Sequence, residues 1–292
     1  MENRTIAITG ATGLLGRHLC EYFRSRGWTV NALMRDTSLY PFAIPGIVPF
    51  HADLPDGLHE SAFRGADVVI HAAYSTRSST PETARRVNDE GTMRVLSVAR
   101  AAGVRRFIFV SSLSAHATAL SYYGRSKYAL EQRLDPSQDL IIRPGLILAH
   151  SGGLFERMRR SLARSPVVPV FGGGNQVLQT VHVDDLCAAF DRALELNLTG
   201  ALNVAEAEGV TMRRFILALA ERMRRRVVLV GVPAGPAIHL LKGIEKLHVP
   251  VPISSENVLG LMSMQHVSTE NDVARLGVRI RSAGESLDDL IR

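Results

Sequence analysis

The feature that most constrains the fold is a regular alternation of apolar runs and amphipathic stretches over the first half of the chain. Several runs are continuous and rich in β-branched residues, which is typical of strands covered on both faces. Strands alternating with helices through right-handed crossovers predict an α/β fold with a doubly wound parallel sheet. The predicted strands are Thr5–Thr9, Thr29–Leu33, Ile47–Phe50, Val68–His71, Phe107–Val110 and Leu140–Arg143, and the predicted helices are Leu14–Arg26, Pro81–Ala102 and Tyr122–Leu134.

The alternation of predicted strands and helices is less regular after Arg143-Pro144-Gly145. We interpret residues 1–148 as a dinucleotide-binding domain, to which segments of about 177–205 return, and residues 149–292 as a smaller C-terminal substrate lobe. An amphipathic helix at Ile238–Leu247 is interpreted as covering a substrate pocket, with a membrane-surface role as the alternative. The other predictions are a loop at Phe171–Asn175, strands at Val177–Val183, Ala201–Val204 and Val227–Val230, and helices at Asp184–Leu196 and Met212–Arg224.

Composition narrows the class of protein. With 46% apolar and 21% charged residues, the chain has the balance of a soluble globular enzyme. It has neither an apolar run of membrane-spanning length nor a signal-peptide pattern, so we expect a cytoplasmic protein with no membrane partner. Two cysteines, Cys20 and Cys187, are too few for a disulfide framework, and neither stands in a sequence pattern of metal ligands. The net charge of +6 comes from arginine clusters that lack a nucleic-acid signature, and we interpret them as solvated helix faces or a rim attracting anions.

A glycine-rich segment, Thr9-Gly10-Ala11-Thr12-Gly13-Leu14-Leu15-Gly16, follows the first predicted strand and opens the first predicted helix. Glycines allow a tight turn and let the backbone approach a pyrophosphate, while the helix N-terminus offers free N–H groups and a positive dipole end. Because the segment lies in a strand–turn–helix context, it predicts a dinucleotide cofactor rather than a purely structural turn.

The ends of the next strands bear on the choice of cofactor. An acid at the end of strand two would bind the adenosine ribose, but Met34 stands there and Arg35 follows, which favours the 2′-phosphate of NADP(H). Asp36 keeps NAD(H) open, with turn capping as its other role. Asp53 either accepts a hydrogen bond from the adenine amino group or caps a turn. His71-Ala72-Ala73 places small residues where a cofactor would pass, and His71 itself is interpreted as a core histidine.

Tyr123 and Lys127 form a Tyr-x-x-x-Lys pair inside a predicted helix. The chain has six tyrosines and three lysines, so chance gives such a pair only about 0.06 times per chain. Positions i and i+4 share one helix face, and an ammonium beside a phenol lowers the pKa of that phenol. The pair therefore predicts a tyrosine that acts as acid or base on a hydroxyl or carbonyl. The alternative is a surface tyrosine packed along a lysine stem.

Together these segments resemble the extended short-chain dehydrogenase/reductase superfamily, more narrowly its NAD-dependent epimerase/dehydratase type. The similarity runs over nearly the whole chain. Its motifs are Thr9–Gly16, Ala52-Asp53-Leu54, His71-Ala72-Ala73, Asn88 with Gly91-Thr92, Val110-Ser111-Ser112, Tyr123 with Lys127, Arg143-Pro144-Gly145 and Val181-His182-Val183-Asp184-Asp185.

The resemblance implies roles for individual residues. Tyr123 would be the catalytic acid/base, Lys127 would lower its pKa, and Ser112 would hydrogen-bond the substrate oxygen. Ser111 would then be structural. Members often dimerise through helices equivalent to the second and third predicted helices, so we expect a homodimer. The residues expected to bind the cofactor are Gly10, Thr12, Gly13, Leu14, Leu15, Gly16, Arg35, Asp53, Leu54, His71, Ala72, Ala73, Tyr123, Lys127 and Pro144.

The chain also departs from the nucleotide-sugar members of this superfamily. Residues 174–180 lack the arginine that binds a substrate diphosphate, Leu113-Ser114 replace the Asp-Glu of sugar dehydratases, and only ten residues separate Ser112 from Tyr123. We therefore predict an NAD(P)-dependent oxidoreductase, a ketoreductase/dehydrogenase acting on a small-molecule ketone or secondary alcohol. A nucleotide-sugar epimerase is the alternative, and a non-catalytic NADP(H)-sensing protein is a third interpretation, which the Tyr–Lys pair disfavours.

Overall fold

A computed structural model describes residues 4–39, 44–76, 80–247 and 253–291. The chain forms two compact units. The first unit comprises Met1–Ser111, Ala129–Ile142 and Cys187–Leu202, and the second unit comprises Ser112–Tyr128, Arg143–Leu186 and Asn203–Arg292. The sequence predicts a boundary at residue 148 between a dinucleotide-binding domain and a substrate lobe. The two units are defined by packing and not by what they bind, so this division by function stays a prediction.

The elements follow one another as short strands and helices. The strands are β1 Thr5–Thr9, β2 Thr29–Met34, β3 Ile47–Asp53, β4 Gly57–Leu58, β5 Val68–His71, β6 Arg106–Val110, β7 Leu140–Pro144, β8 Leu146–Leu148, β9 Val167–Phe171, β10 Val177–Leu178, β11 Thr180–His182, β12 Gly200–Val204, β13 Val210–Thr211 and β14 Val228–Val232. The α-helices are α1 Leu14–Ser25, α2 Pro81–Arg85, α3 Gly91–Ala101, α4 Tyr122–Glu131, α5 Gly153–Arg164, α6 Val183–Glu195, α7 Met212–Arg222, α8 Ala234–Lys246, α9 Ser255–Met262, α10 Glu270–Leu276 and α11 Ala283–Leu290.

The largest sheet has the strand order β12-β7-β6-β5-β1-β2-β3-β4. Strand β1 pairs in parallel with β2 on one side and β5 on the other, and the parallel pairing continues through β3 and through β6 to β7. The strand order thus reverses between β1 and β5, where open α/β sheets bind their ligands. The predicted doubly wound parallel sheet is confirmed.

The core of the first unit forms where the sheet meets amphipathic helices. Helix α1 buries Leu15, Leu19 and Phe23, which recur every four residues and so lie on one face. Val69 of β5 and Phe107 of β6 belong to a buried cluster that also contains residues of α3 and α4. Because the central strands are buried on both faces, they are apolar without alternation, as expected for a parallel sheet.

The second unit is built on smaller sheets and its own core. Pairs β8–β11 and β9–β14 are parallel, and β10–β13 is antiparallel. Phe155 of α5 and Phe215 of α7 meet edge to face with centroids 6.3 Å apart, inside a cluster that also holds Leu287 of α11. Within the described ranges, every helix falls short of the length and hydrophobicity that a membrane crossing requires.

Most predicted elements are confirmed to within a few residues. The predicted helix Pro81–Ala102 is interrupted by a π-helical turn at Arg86–Glu90, and the predicted strand Val177–Val183 is broken at Gln179. The predicted helix Ile238–Leu247 begins four residues earlier, at Ala234. The sequence analysis missed several elements, among them the strongly amphipathic helix α5: β4, β8, β9, β13, α5, α9, α10 and α11.

Candidate active site

The glycine segment lies at the carboxyl end of β1, at the reversal point of the sheet. Thr9 is in register with His71, so the turn after β1 lies beside the turn after β5. Gly10 has a φ of +69°, and a Cβ atom on it would lie 2.8 Å from the backbone N and Cα of Ala73. A Cβ atom on Gly16 would lie 2.1 Å from the carbonyl oxygen of Gly10. Both positions therefore exclude any larger side chain.

The N-terminus of α1 is arranged to receive an anion. Its N-cap is Gly13, and among the described residues no side chain caps the helix. Thr12 and Gly13 are exposed, whereas Leu15 is buried beneath them. First-turn N–H groups without a side-chain cap, together with the helix dipole, suit a pyrophosphate. The close approach of Gly10 to Ala72 and Ala73 keeps side chains out of this turn, so the residues fit a dinucleotide.

His71 is part of the core of the first unit. Its Nδ1 lies 2.8 Å from the Thr9 hydroxyl, and its Nε2 lies 2.9 Å from the Thr92 hydroxyl. Its ring stacks on Phe107 and Phe109 at centroid distances of 6.2 and 6.1 Å. The interpretation of a satisfied core histidine agrees with these contacts, and a contact between this strand end and the cofactor stays a prediction.

The candidate residues for cofactor selection follow β2 and β3. Arg35 is exposed directly after β2. Asp36 accepts hydrogen bonds from the backbone N–H and the hydroxyl of Ser38, at 2.9 and 2.6 Å, and these bonds lower the pKa of Asp36. Asp36 thus caps the turn that follows it. Asp53 is exposed at the end of β3. The next residue, Leu54, packs closely on Gly91, since a Cβ atom added to Gly91 would lie 2.9 Å from the Cβ atom of Leu54.

The two adjacent serines after β6 have different surroundings. Ser111 is 2% exposed, and its hydroxyl donates a hydrogen bond to the buried carboxylate of Glu131. Ser112 is partly exposed, accepts a hydrogen bond from the Ser114 N–H at 3.1 Å, and shares a hydrogen bond with the phenol of Tyr123. Ser111 is therefore engaged in the core, and Ser112 is the serine that is bonded to the tyrosine.

Tyr123 lies in the first turn of α4, and Lys127 lies one turn further along the same face. Lys127 is 2% exposed, whereas Tyr123 as a residue is partly exposed. Burial of the phenol raises the pKa of Tyr123 above its ordinary value, and the Ser112 hydrogen bond offsets only part of that rise. The net direction is upward, which corrects the expectation of a lowered pKa: removing the phenol from water outweighs the bond that stabilises its ionised form.

Close contacts within the second unit fix the position of α4. A Cβ atom on Gly124 would lie 2.4 Å from the carbonyl oxygen of Ser114, so the segment after Ser112 packs directly on this helix. The N–H of Tyr122 donates to the Glu256 carboxylate at 2.5 Å. Glu256 was missed because it lies 134 residues away in the sequence, whereas Gly124, next to the tyrosine, was a usable signal.

Pro144 lies beside the residue that follows Ser112, and the segment after Pro144 is hydrogen-bonded to Gln179. The carbonyl of Pro144 accepts a hydrogen bond from the Leu113 N–H at 3.0 Å. Gln179 is buried, and its amide donates to the carbonyl oxygens of Glu206 and Val267 at 3.0 and 2.8 Å. The segment in which nucleotide-sugar enzymes carry an arginine therefore holds a glutamine whose amide is occupied by the backbone.

The Val181–Asp185 motif anchors the end of the chain. The carboxylate of Asp185 accepts hydrogen bonds from the guanidinium of Arg281 at 2.7 and 3.0 Å. His182 is buried and its Nδ1 accepts the N–H of Asp184 at 3.2 Å. Burial, and next the charge of Arg281, lower the pKa of His182, so its ring is held neutral. This motif is structural in the geometry observed.

The parallel sheet with a glycine turn at its reversal point is that of a dinucleotide-binding α/β protein. The model of the NAD dependent epimerase/dehydratase family matches residues 6–205, and the chain belongs to this family. The resemblance found in the sequence is thus confirmed. The family and its relatives are NAD(P)-dependent oxidoreductases and epimerases, so a nicotinamide dinucleotide is the cofactor class of this chain.

Curated relatives and solved structures agree with this membership. The chain is 37% identical over 241 residues to ceramide reductase of Caulobacter vibrioides, covering 78% of this chain and 73% of that protein. It is 25% identical over 276 residues to a 4-hydroxy-2-methyl-3-oxo-4-farnesyl-3,4-dihydroquinoline-1-oxide ketoreductase of Stigmatella aurantiaca, covering 83% and 81%. The structure of MoeE5 with UDP-glucuronic acid and NAD shares the fold, with a TM-score of 0.76, 20% identity, and 98% and 97% coverage.

Proposed function

We propose that the protein is an NADP(H)-dependent ketoreductase/dehydrogenase, which transfers hydride reversibly between the cofactor and a ketone or secondary alcohol carbon. The observation that carries the proposal is the hydrogen bond between Ser112 and Tyr123, with Lys127 buried one turn away on the same helix face. A serine hydroxyl and a phenol that already bond each other can both turn to one substrate oxygen.

In the direction of reduction, Ser112 and Tyr123 would hydrogen-bond the ketone oxygen, and Tyr123 would then give its proton to that oxygen. The raised pKa of Tyr123 keeps the phenol protonated at neutral pH, which suits a proton donor. The ammonium of Lys127 would stabilise the phenolate that remains. The bound cofactor supplies the hydride. In the direction of oxidation the same residues would act in reverse, with the phenolate of Tyr123 accepting the proton of the alcohol.

The preference for NADP(H) rests on Arg35. Its exposed guanidinium follows β2, at the edge of the sheet where the glycine turn lies, and it suits a 2′-phosphate. The carboxylate of Asp36 accepts two bonds from Ser38, which leaves it less able to bind a ribose hydroxyl. Gly10, Thr12, Gly13, Leu14, Leu15 and Gly16 would hold the pyrophosphate, with Asp53, Leu54, Ala72, Ala73 and Pro144 as further contacts.

The rival function is nucleotide-sugar epimerisation, which several proteins of this fold carry out. The commitment of the Gln179 amide to backbone carbonyls argues against a diphosphate site at that segment. The similarity to ceramide reductase and to a ketoreductase instead supports a hydrophobic ketone as the substrate class. The homodimer and the cytoplasmic location stay predictions.

The proposal is tested by substituting Tyr123→Phe, with Tyr122→Phe as the matched control on the same helix. Oxidation of NADPH is followed with a panel of long-chain ketones. Because proton donation contributes about 10²–10⁴ in rate, Tyr123→Phe should bind NADPH like the wild type and lose at least about 100-fold in kcat. Tyr122→Phe should stay near the wild-type rate. Near-full turnover by Tyr123→Phe would remove this tyrosine from the mechanism.

A further inference from the structure

The second unit carries a groove whose described lining is entirely apolar. It has a volume of about 440 Å³ and runs between α8 and the paired strands β9 and β14. Its lining includes Phe171, Val232, Ala237, Leu240, Leu241 and Ile253. Its size lies in the range of small-molecule sites. A lining without hydrogen-bonding side chains offers nothing to a sugar, a phosphate or a peptide backbone.

We infer that this groove binds an aliphatic chain of the substrate, so that the enzyme acts on ketones carrying a long alkyl or acyl tail. That the ligand is the substrate rests on the proposed function. That the ligand is aliphatic is argued from the groove alone. Leu240 is 66% exposed although it lines the groove, and burying such a side chain against methylene groups is favourable.

Helix α9 links the groove to the candidate catalytic helix. Ile253 of the groove lies just before α9, where Ser255 donates from both its N–H and its hydroxyl to the Glu245 carboxylate of α8 at 2.7 Å. Glu256 then accepts the Tyr122 N–H at 2.5 Å. Three residues of chain span at most about 11 Å, so the backbone of Ile253 lies within about that distance of the backbone of Glu256, whose side chain contacts the tyrosine helix. A long tail is able to bridge this interval.

The outer surface of α8 argues against two other occupants, a membrane surface and a second copy of the chain. Exposed His239 and Lys242 lie one and two residues from Leu240, and such neighbours do not share a helix face, so polar side chains border a narrow apolar stripe. Leu247, just past α8, is 75% exposed but does not line the groove. A flat apolar partner would cover Leu247 as well as Leu240, whereas a single chain in the groove would contact only Leu240.

Binding of the chain is tested without catalysis. Full-length protein is titrated calorimetrically with 1-hexanol, 1-octanol and 1-decanol, each below its solubility limit. Each buried methylene contributes about 0.8 kcal/mol, which is about fourfold in affinity, so each two-carbon step should tighten binding about 15-fold. Ala237→Trp, which fills the groove, and Leu240→Asp, which places a carboxylate on its lip, should each weaken decanol binding at least tenfold. Leu247→Asp is the matched control and should bind like the wild type.

A second measurement separates this inference from the proposed function. The ratio kcat/KM is measured with NADPH for 2-octanone, 2-decanone and 2-dodecanone, and it should rise with chain length in the wild type but not in Ala237→Trp. Alcohol binding without turnover of any ketone would refute the reductase and leave the groove assignment intact. Turnover independent of chain length, with no alcohol binding, would refute the groove. Co-sedimentation with phosphatidylglycerol vesicles that both aspartate variants abolish would also overturn it, in favour of a membrane surface.

Discussion

Replacing Ser112 and Ser111 separately by alanine tests the assignment of two neighbouring hydroxyls to different tasks. Ser112→Ala removes the hydroxyl bonded to Tyr123, and this bond is a contribution that lowers the pKa of the phenol. Loss of one preorganised donor to a reacting oxygen typically costs about 10²–10³ in kcat, or about 3–4 kcal/mol. We expect a loss of that size, and an alkaline limb of the pH–rate profile that moves to higher pH, while stability changes little because Ser112 is partly exposed.

Ser111→Ala should behave in the opposite way. This substitution removes the hydroxyl that donates a hydrogen bond to the carboxylate of Glu131, which is buried in the core. Removing a partner from a buried polar group costs about 1–3 kcal/mol, and more when the group is charged. The unfolding midpoint in urea should therefore fall clearly, while kcat of the folded enzyme should stay within about twofold of the wild type.

The two variants are compared by urea unfolding, NADPH titration and steady-state reduction of a long-chain ketone. The reasoning would be refuted if Ser111→Ala lost turnover while retaining stability and Ser112→Ala kept its turnover. That outcome would exchange the roles of the two serines. Equal effects of both substitutions on kcat at unchanged stability would equally contradict the separation that the hydrogen bonds indicate.

Three further predictions concern the cofactor turn and the acid stability of the chain. Arg35→Ala should weaken NADPH binding about tenfold and leave NADH binding unchanged, as measured by fluorescence titration; equal wild-type affinities for the two cofactors would overturn the NADP(H) assignment. Gly10→Ala should lose NADPH binding and destabilise the protein by more than the conformational cost of an alanine in the left-handed region, which is about 1–2 kcal/mol. Gly27→Ala should show only that cost, because Gly27 has a φ of +81° and a Cβ atom on it would meet nothing within 4 Å beyond its chain neighbours. The pKa of His182 is lowered in the folded protein, so as the pH falls the unfolded chain binds the proton first. The contribution of His182 to the free energy of unfolding is therefore complete above a pH of about 6.5. Below that pH it decreases by at most about 1.4 kcal/mol per pH unit, until the pKa of the folded state is reached. His182→Gln should flatten this part of the urea-midpoint profile relative to the exposed His150→Gln, and an unchanged slope would contradict the assignment.

The fold was predictable because its signals are local. The strands β1 and β5 are continuous apolar runs, and the glycines of the turn after β1 are required by a backbone conformation that the strand–turn–helix order already implies. The weaker predictions fall in the second unit. Helix α5 was missed although its sequence is clearly amphipathic. Strand β8 and helix α9 are short segments, and long-range packing decides their conformation.

The candidate site shows the same division. The sequence alone placed Tyr123 and Lys127 on one helix face, because i and i+4 neighbours are fixed by helix geometry. Only the tertiary structure decided which serine bonds the tyrosine, since the partner of Ser111 lies 20 residues away on another element. It also decided the direction of the Tyr123 pKa shift and exposed the groove beside α8, because burial depends on residues such as Leu240 and Ile253 that are distant in the chain. Local periodicity determines backbone conformation and the face on which a residue lies, whereas solvent exclusion is a property of the folded assembly as a whole.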